Sequence, residues 1–142
     1  MNKVKIKLTH PNAKVPEKSF GTDACYDIIA ITKEDIGHNR IKYRCGFNIE
    51  LPHNTQFDIR SRSSIYKTGL IMCNSIGTVD EDYRGEFIVI FYHVVPTLPP
   101  YEVGDRIAQI QMRSREDVKF VVVDELTETE RGIGGFGHTG KK

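Results

Sequence analysis

One decapeptide of the 142-residue chain concentrates groups able to do chemistry: Gly77-Thr78-Val79-Asp80-Glu81-Asp82-Tyr83-Arg84-Gly85-Glu86. Three successive carboxylates, a phenol and a guanidinium sit between two glycines, directly after an apolar, strand-like run. A carboxylate at a strand end can take a proton from water as a general base. A neighbouring aromatic ring can pack on a sugar or a base, and an arginine can hold phosphate. Taken alone the decapeptide is also an ordinary charged hairpin tip, and the rest of the chain must decide between the two.

The second chemical stretch is the end of the chain. Residues 131–142 read Arg131-Gly132-Ile133-Gly134-Gly135-Phe136-Gly137-His138-Thr139-Gly140-Lys141-Lys142, a glycine-rich run with one aromatic. It contains a formal G-x-G-x-x-G from Gly135 to Gly140 and nearly a P-loop, with Lys142 where Ser or Thr should bind magnesium. Both motifs feed a phosphate onto the N-terminus of a following helix. No helix follows here, so dinucleotide and Walker-type readings are rejected. Successive N–H groups of a glycine-rich turn can still nest an anion.

The five histidines (His10, His38, His53, His93, His138) do not pair with each other or with cysteine at ligand spacing, so no zinc site is expected. Cys25, Cys45 and Cys73 are an odd number without metal spacing and read as free thiols of a reducing compartment.

The elements that must position these groups are strands. Val4, Ile6 and Leu8 alternate with polar residues, as do Phe47, Ile49 and Leu51, and Phe57 and Ile59. Phe87-Ile88-Val89-Ile90-Phe91-Tyr92 is apolar on both faces and is expected to be a central, fully buried strand. Ile107-Ala108-Gln109-Ile110-Gln111-Met112 and Phe120-Val121-Val122-Val123 read as two more.

Turn residues fall between these runs at short intervals, which points to an all-β barrel or sandwich. Residues 61–68 read as the one short helix, with a serine as N-cap. The expected division is a β-barrel domain over 1–125 and a flexible glycine-rich arm over 126–142, too polar and glycine-rich to form core.

Composition narrows the function classes. Hydrophobic content of 39% and charged content of 27% are those of a globular domain, and 142 residues suffice for one real core. A net charge of +1 argues against stable binding of long nucleic acid, though not against a small polyanion. No secretory leader or membrane-length apolar run is visible, so a cytoplasmic protein, in a host-cell cytoplasm if viral, is expected.

Five segments stand in a telling order: Ala24-Cys25-Tyr26-Asp27-Ile28, Arg62-Ser63-Ser64-Ile65, residues 74–85, Gly104-Asp105-Arg106-Ile107-Ala108-Gln109, and residues 131–140. In this order and content the chain resembles the homotrimeric deoxyuridine triphosphatases (dUTP pyrophosphatases), over nearly its whole length. The last three segments are specific matches and the first two looser. The resemblance implies a homotrimer of jelly-roll-like β-clip subunits, with active sites shared between subunits and each glycine-rich arm closing over a neighbour's site. It implies hydrolysis of dUTP to dUMP and pyrophosphate, with Mg²⁺ chelated by the triphosphate. Such an enzyme keeps uracil out of DNA and supplies dUMP for dTMP synthesis.

Residue by residue, the resemblance makes Asp80 the general base acting on the water that attacks the α-phosphorus. Tyr83 packs under the deoxyribose and leaves no room for a 2′-hydroxyl. Asn74 bonds the uracil edge, to which an amide offers both donor and acceptor. Gly77 and Val79 belong to the same substrate-binding hairpin. A hydrophobic pocket discriminates a methyl by only ~1–3 kcal/mol, so rejecting thymine calls for backbone crowding over 74–83.

Arg62, Ser63 and Ser64 match the phosphate segment, in which a guanidinium neutralises charge developing on phosphate oxygens. Gln109 matches a phosphate-side amide. Asp27 matches the acid that holds magnesium through water, since Mg²⁺ usually keeps several waters. Arg131 matches the γ-phosphate arginine and Phe136 the ring that stacks on uracil, with Gly137, His138 and Thr139 lining the γ-phosphate.

This chain departs from the family pattern at Cys25, Ser61 and Ser64, which replace a glycine, a proline and a glycine, and at His138, which replaces a serine. Asp105 and Arg106 read as a structural pair at a strand start. Related dCTP deaminases place a catalytic glutamate where this chain has Ile90, which argues against deamination. A regulatory protein partner using the same pocket is the other reading kept open.

Overall fold

Alternating sequences can bury one face only by pairing into sheets and folding those sheets onto each other. The computed structural model describes residues 3–136 and shows ten strands among them. They are β1 (Lys5–Leu8), β2 (Tyr26–Ile29), β3 (Thr32–Asp35), β4 (Arg40–Arg44), β5 (Phe47–Glu50), β6 (Thr55–Arg60), β7 (Leu70–Met72), β8 (Gly77–Val79), β9 (Ile88–His93) and β10 (Arg106–Ser114). Two antiparallel four-stranded sheets, ordered β2-β10-β6-β8 and β3-β4-β9-β7, are accompanied by the β1-β5 ribbon. The architecture is all-β and jelly-roll-like, as expected.

Aromatic packing closes the space between the sheets. Tyr43, Phe47, Phe87 and Phe91 are fully buried. Phe47 stacks on Phe87 at 4.8 Å, and Tyr43 meets Phe91 edge-on at 5.7 Å between ring centroids. The Tyr43 hydroxyl donates to the Tyr101 carbonyl at 2.9 Å, so its one polar atom is satisfied inside the core.

The β2-β10-β6-β8 sheet has two chemically different faces. Ile28, Ile110, Ile59 and Val79 enter the core. The register places Asp27, Gln109 and Arg60 in one row of the opposite face, and Gln111, Asp58 and Thr78 in the next. That polar face gathers carboxylate, amide and guanidinium side chains.

Three expectations are corrected. The short helix is a 3-10 turn, Ser63–Lys67, whose N-cap is Arg62 with no side-chain cap; Thr68 Oγ1 closes the other end on the Ile65 carbonyl at 2.6 Å. β9 is central, paired to β4 and β7, but its Ile88 and Ile90 are only half-buried and Tyr92 is exposed, so one face alone is core. Residues 120–123 form no strand: they pair with none of the ten strands, and Phe120 and Val122 are exposed. Among the described residues the last strand ends at Ser114.

Candidate active site

The polar side chains named from sequence fall into two clusters and an exposed arm. The first cluster is a cavity of about 180 Å³ at the β8 edge, lined by Ile59, Asn74, Gly77, Thr78, Val79, Asp80 and Tyr83, with Phe87 at its base. Asp80 is the first residue after β8 and is exposed to the solvent that would fill this space. The turn is closed by the Tyr83 N–H donating to the Asp80 carbonyl at 3.2 Å.

The Tyr83 hydroxyl donates to the Glu86 carbonyl at 3.1 Å, which fixes the ring across the cavity wall. Glu86 is itself anchored, accepting from the Gly46 N–H at 2.9 Å and from Arg44 Nε at 2.8 Å. Two glycines make this geometry possible. A Cβ on Gly77 would come within 2.9 Å of Asn74 Nδ2, and a Cβ on Gly85 would overlap the Tyr83 phenol. Arg84 is turned inward on the turn's own backbone, donating to the carbonyls of Glu81 and Tyr83 at 2.7 and 3.1 Å.

The second cluster centres on Asp27, a buried carboxylate of β2. Its Oδ1 accepts from Arg62 Nε at 3.0 Å and from Gln109 Nε2 at 3.3 Å. Its Oδ2 accepts from an Arg106 guanidinium N–H at 3.1 Å and from the Ser19 hydroxyl at 3.5 Å. Arg62 also donates to Ser64 Oγ at 3.3 Å. Two guanidiniums, one amide and two hydroxyls thus gather round one carboxylate, a surplus of donors suited to phosphate oxygens. Ser63, at the start of the 3-10 turn, is exposed.

The arm is the third part. From Arg115 onward the described chain is exposed almost throughout. Arg131 donates through Nε to the Gly134 carbonyl at 2.9 Å, which leaves its terminal nitrogens outward, and Phe136 is fully exposed. Gly137, His138 and Thr139 lie outside the described residues.

Asp27 is a poor inner-sphere magnesium ligand in this arrangement, because both oxygens are occupied by cationic and amide donors. Among the described residues no three acidic, histidine or cysteine side chains are grouped to hold a metal. With both oxygens so occupied, Asp27 could approach a cation only through an intervening water.

Of the residues that sequence reasoning assigned to a single site, the structure brings Asp27, Arg62, Ser64 and Gln109 together in one cluster, and Asn74, Gly77, Val79, Asp80 and Tyr83 in another. Sequence reasoning missed Ser19 and Glu81, and it misassigned Arg106. Asp105 accepts from the Glu102 N–H at 2.7 Å as a turn acid, and Arg106 goes to Asp27 instead. The donor surplus of the matched segments was the available signal, since one carboxylate cannot balance two arginines. Size alone would have misled: a groove of about 400 Å³ between Val4, Ile6, Val15, Tyr26, Ile49 and Met112 contains no carboxylate, imidazole or cation.

Known proteins resemble this chain in sequence and in fold. A sequence model of the dUTPase family matches residues 11–140. The deoxyuridine 5′-triphosphate nucleotidohydrolase of Fusobacterium nucleatum is 37% identical over 146 residues, covering 99% of this chain and 100% of that protein. The protein of the same name from Alkaliphilus metalliredigens is 37% identical over the full length of both. In structure, the Staphylococcus bacteriophage 80alpha dUTPase with dUPNHPP superposes with a TM-score of 0.84 at 23% identity, covering 99% of each chain. The fold is therefore the jelly-roll-like β-clip. The chain belongs to the dUTPase family.

Proposed function

We propose that this protein hydrolyses dUTP to dUMP and pyrophosphate. The observation that carries the reading is Asp80, held at the end of β8 on the wall of a cavity whose other walls are Asn74, Gly77 and Tyr83. A nucleoside entering there meets an amide for the uracil edge and a fixed ring for the sugar. Anchoring Tyr83 to the Glu86 carbonyl leaves the ring no freedom to make room for a 2′-hydroxyl.

In the reaction a water oxygen bonds to the α-phosphorus while the bond from that phosphorus to the bridging oxygen breaks, and the electron pair leaves with pyrophosphate. Asp80 accepts the water's proton, an assistance worth about 10²–10⁴ in rate. Arg62 offsets the charge on the phosphate oxygens, with Ser64 holding its guanidinium in place and Ser63 and Gln109 supplying neutral donors. Mg²⁺, bound by the triphosphate, would supply further charge neutralisation there.

The two clusters argue for a site shared between subunits. β2 and β8 are opposite edges of one sheet, three strand spacings or roughly 14 Å apart. Asp27 and Asp80 of one chain are therefore badly placed to serve one substrate, whereas a homotrimer can bring the Asp27–Arg62 cluster of one subunit against the Asp80 cavity of the next. The arm, exposed and making no core, is available to close over a neighbour's site with Arg131 on the γ-phosphate and Phe136 on the uracil. Gly137, His138 and Thr139 complete that closure in the same reading.

The test is pyrophosphate release from each deoxynucleoside and ribonucleoside triphosphate, with and without Mg²⁺. Release from dUTP alone is expected. Inertness toward dUTP with Mg²⁺ present would overturn the proposal, and ammonia from dCTP would contradict the reading of Ile90.

A further inference from the structure

The turn that presents Asp80 is fastened at its very next residue. Glu81 does not line the cavity. Its Oε1 lies 2.8 Å from His53 Nδ1, and its Oε2 accepts the Asn54 N–H at 2.9 Å and an Arg115 guanidinium N–H at 3.3 Å. His53 and Asn54 form the corner between β5 and β6, where Asn54 takes the left-handed conformation at φ 59°. Together the His53 hydrogen bond, the Asn54 amide and Arg115 hold the Glu81 carboxyl below its ordinary range, so the group is a carboxylate at neutral pH.

Arg115 is the first residue past β10 and so the root of the segment that carries Arg131 and Phe136. It is tied to the same corner twice more. Its backbone N–H donates to the Asn54 carbonyl at 2.9 Å and its guanidinium reaches Asn54 Oδ1 at 3.4 Å. Asp117 faces its Nε at 3.4 Å. One carboxylate thus joins the base-bearing turn, the β5–β6 corner and the root of the arm.

We propose that Glu81 is a positioning residue: it fixes the Asp80 turn against the β5–β6 corner and sets the direction in which the C-terminal segment leaves β10. This rests on the reading of Asp80 as general base and of the arm as part of a site. An isolated exposed ion pair would contribute little. Glu81 differs because its three partners are the corner residues His53 and Asn54 and the arm root Arg115, so losing it frees the Asp80 turn from both and leaves Arg115 with only its own bonds to Asn54. Displacement of reacting groups by about 1 Å can cost up to 10²-fold in rate, so a partial loosening should cost on the order of tenfold.

The experiment measures dUTP hydrolysis by the parent and by Glu81→Ala, Glu81→Gln, Arg115→Ala, Arg115→Lys and Glu81→Ala/Arg115→Ala, together with melting temperature and binding of a non-hydrolysable dUTP analogue. Glu81→Ala is expected to lower kcat roughly tenfold while the protein stays folded and still binds the analogue. Arg115→Lys should keep most of the activity that Arg115→Ala loses. The double variant should lose less than the sum of the two single losses, because residues that share a contact are not additive.

Unchanged kcat in Glu81→Ala, with an active parent, would overturn the inference, and additive losses would overturn the link to the arm root. Should Glu81→Ala not fold, Glu81→Gln carries the decision, since it keeps one acceptor oxygen for Asn54 and replaces the charge and the second acceptor with an amide N–H. An inert parent would instead sink the underlying assignment of dUTP hydrolysis.

Discussion

Arg62 Nε lies 3.0 Å from Asp27 Oδ1, and the pair is the hub of the second cluster, with Arg106 on the other oxygen. The carboxylate cancels only one of two positive charges. It therefore holds the guanidiniums in place while leaving a net positive site for a polyanion. Removing one partner of a buried ion pair costs about 3–5 kcal/mol, because the other charge is left unpaired.

That relation predicts the effect of Asp27→Asn. The Arg62 side chain is 21% exposed and that of Arg106 49%, so solvent screens much of the loss. A destabilisation of about 1–2 kcal/mol remains after that discount. For a domain of this size it lowers the melting midpoint by roughly 3–8 °C. Thermal denaturation checks it, and an unshifted midpoint would mean the pairs contribute nothing net.

Asp80→Asn separates chemistry from binding. The substitution keeps the size and position of the side chain at the end of β8 but removes its ability to take a proton. Turnover of dUTP should fall by about 10²–10⁴, with affinity for a non-hydrolysable analogue nearly unchanged. Single-turnover rates and analogue titration measure the two sides. Turnover near the parent's would remove Asp80 as the base.

Gly85 offers a second test of the proposed role of Tyr83. Because a Cβ there overlaps the Tyr83 phenol, Gly85→Ala must push the ring off its bond to the Glu86 carbonyl. The expected outcome is a loss of discrimination between dUTP and UTP, in the same direction as Tyr83→Ala. The ratio of kcat/KM for the two substrates is the measurement. A ratio unchanged in both variants would place sugar discrimination elsewhere.

How far the sequence foretold this arrangement depended on whether a signal was local. β5, β6 and β10 were visible as alternation, and the turn from Val79 to Tyr83 as a cluster of functional groups. The strands β3, β4 and β7 were not, because Lys33, Glu34, Lys42 and Lys67 spread charge through the neighbouring segments and β7 is only Leu70–Met72. Residues 120–123 have ideal strand composition yet form none, since strand formation needs a partner edge and not only propensity. Arg106 was misread because a neighbouring acid, Asp105, offered a partner in sequence, whereas Asp27 is its partner only through the β2–β10 register. Glu81 was invisible as a tie because His53, Asn54 and Arg115 come together only through the fold.

The exposure of Arg131, Ile133 and Phe136 makes a clean truncation possible. Among the described residues the last strand ends at Ser114, and those three side chains contribute nothing to the core. Deleting residues 131–142 should leave the melting midpoint close to the parent's while abolishing most dUTP hydrolysis. Calorimetry and the pyrophosphate assay read the two effects. A protein that melts on truncation would make the arm structural.

Cys45 gives a prediction about pH. It is almost wholly buried, and burial, assisted by the charge of Glu86, pushes its thiol up from 9.0 to about 12. The native thiol is therefore neutral and shielded near pH 8, and it should react with a thiol reagent only on unfolding. The folded state has the higher value, so its contribution to stability is complete below 9.0 and is lost as pH rises toward about 12, where the unfolded chain gains by ionising first. Cys45→Ala lacks this dependence. The stability gap between the parent and Cys45→Ala should be constant below pH 9 and narrow above it, as read by denaturant unfolding across that range. A gap that stays constant through the alkaline range would show that Cys45 titrates alike in both states.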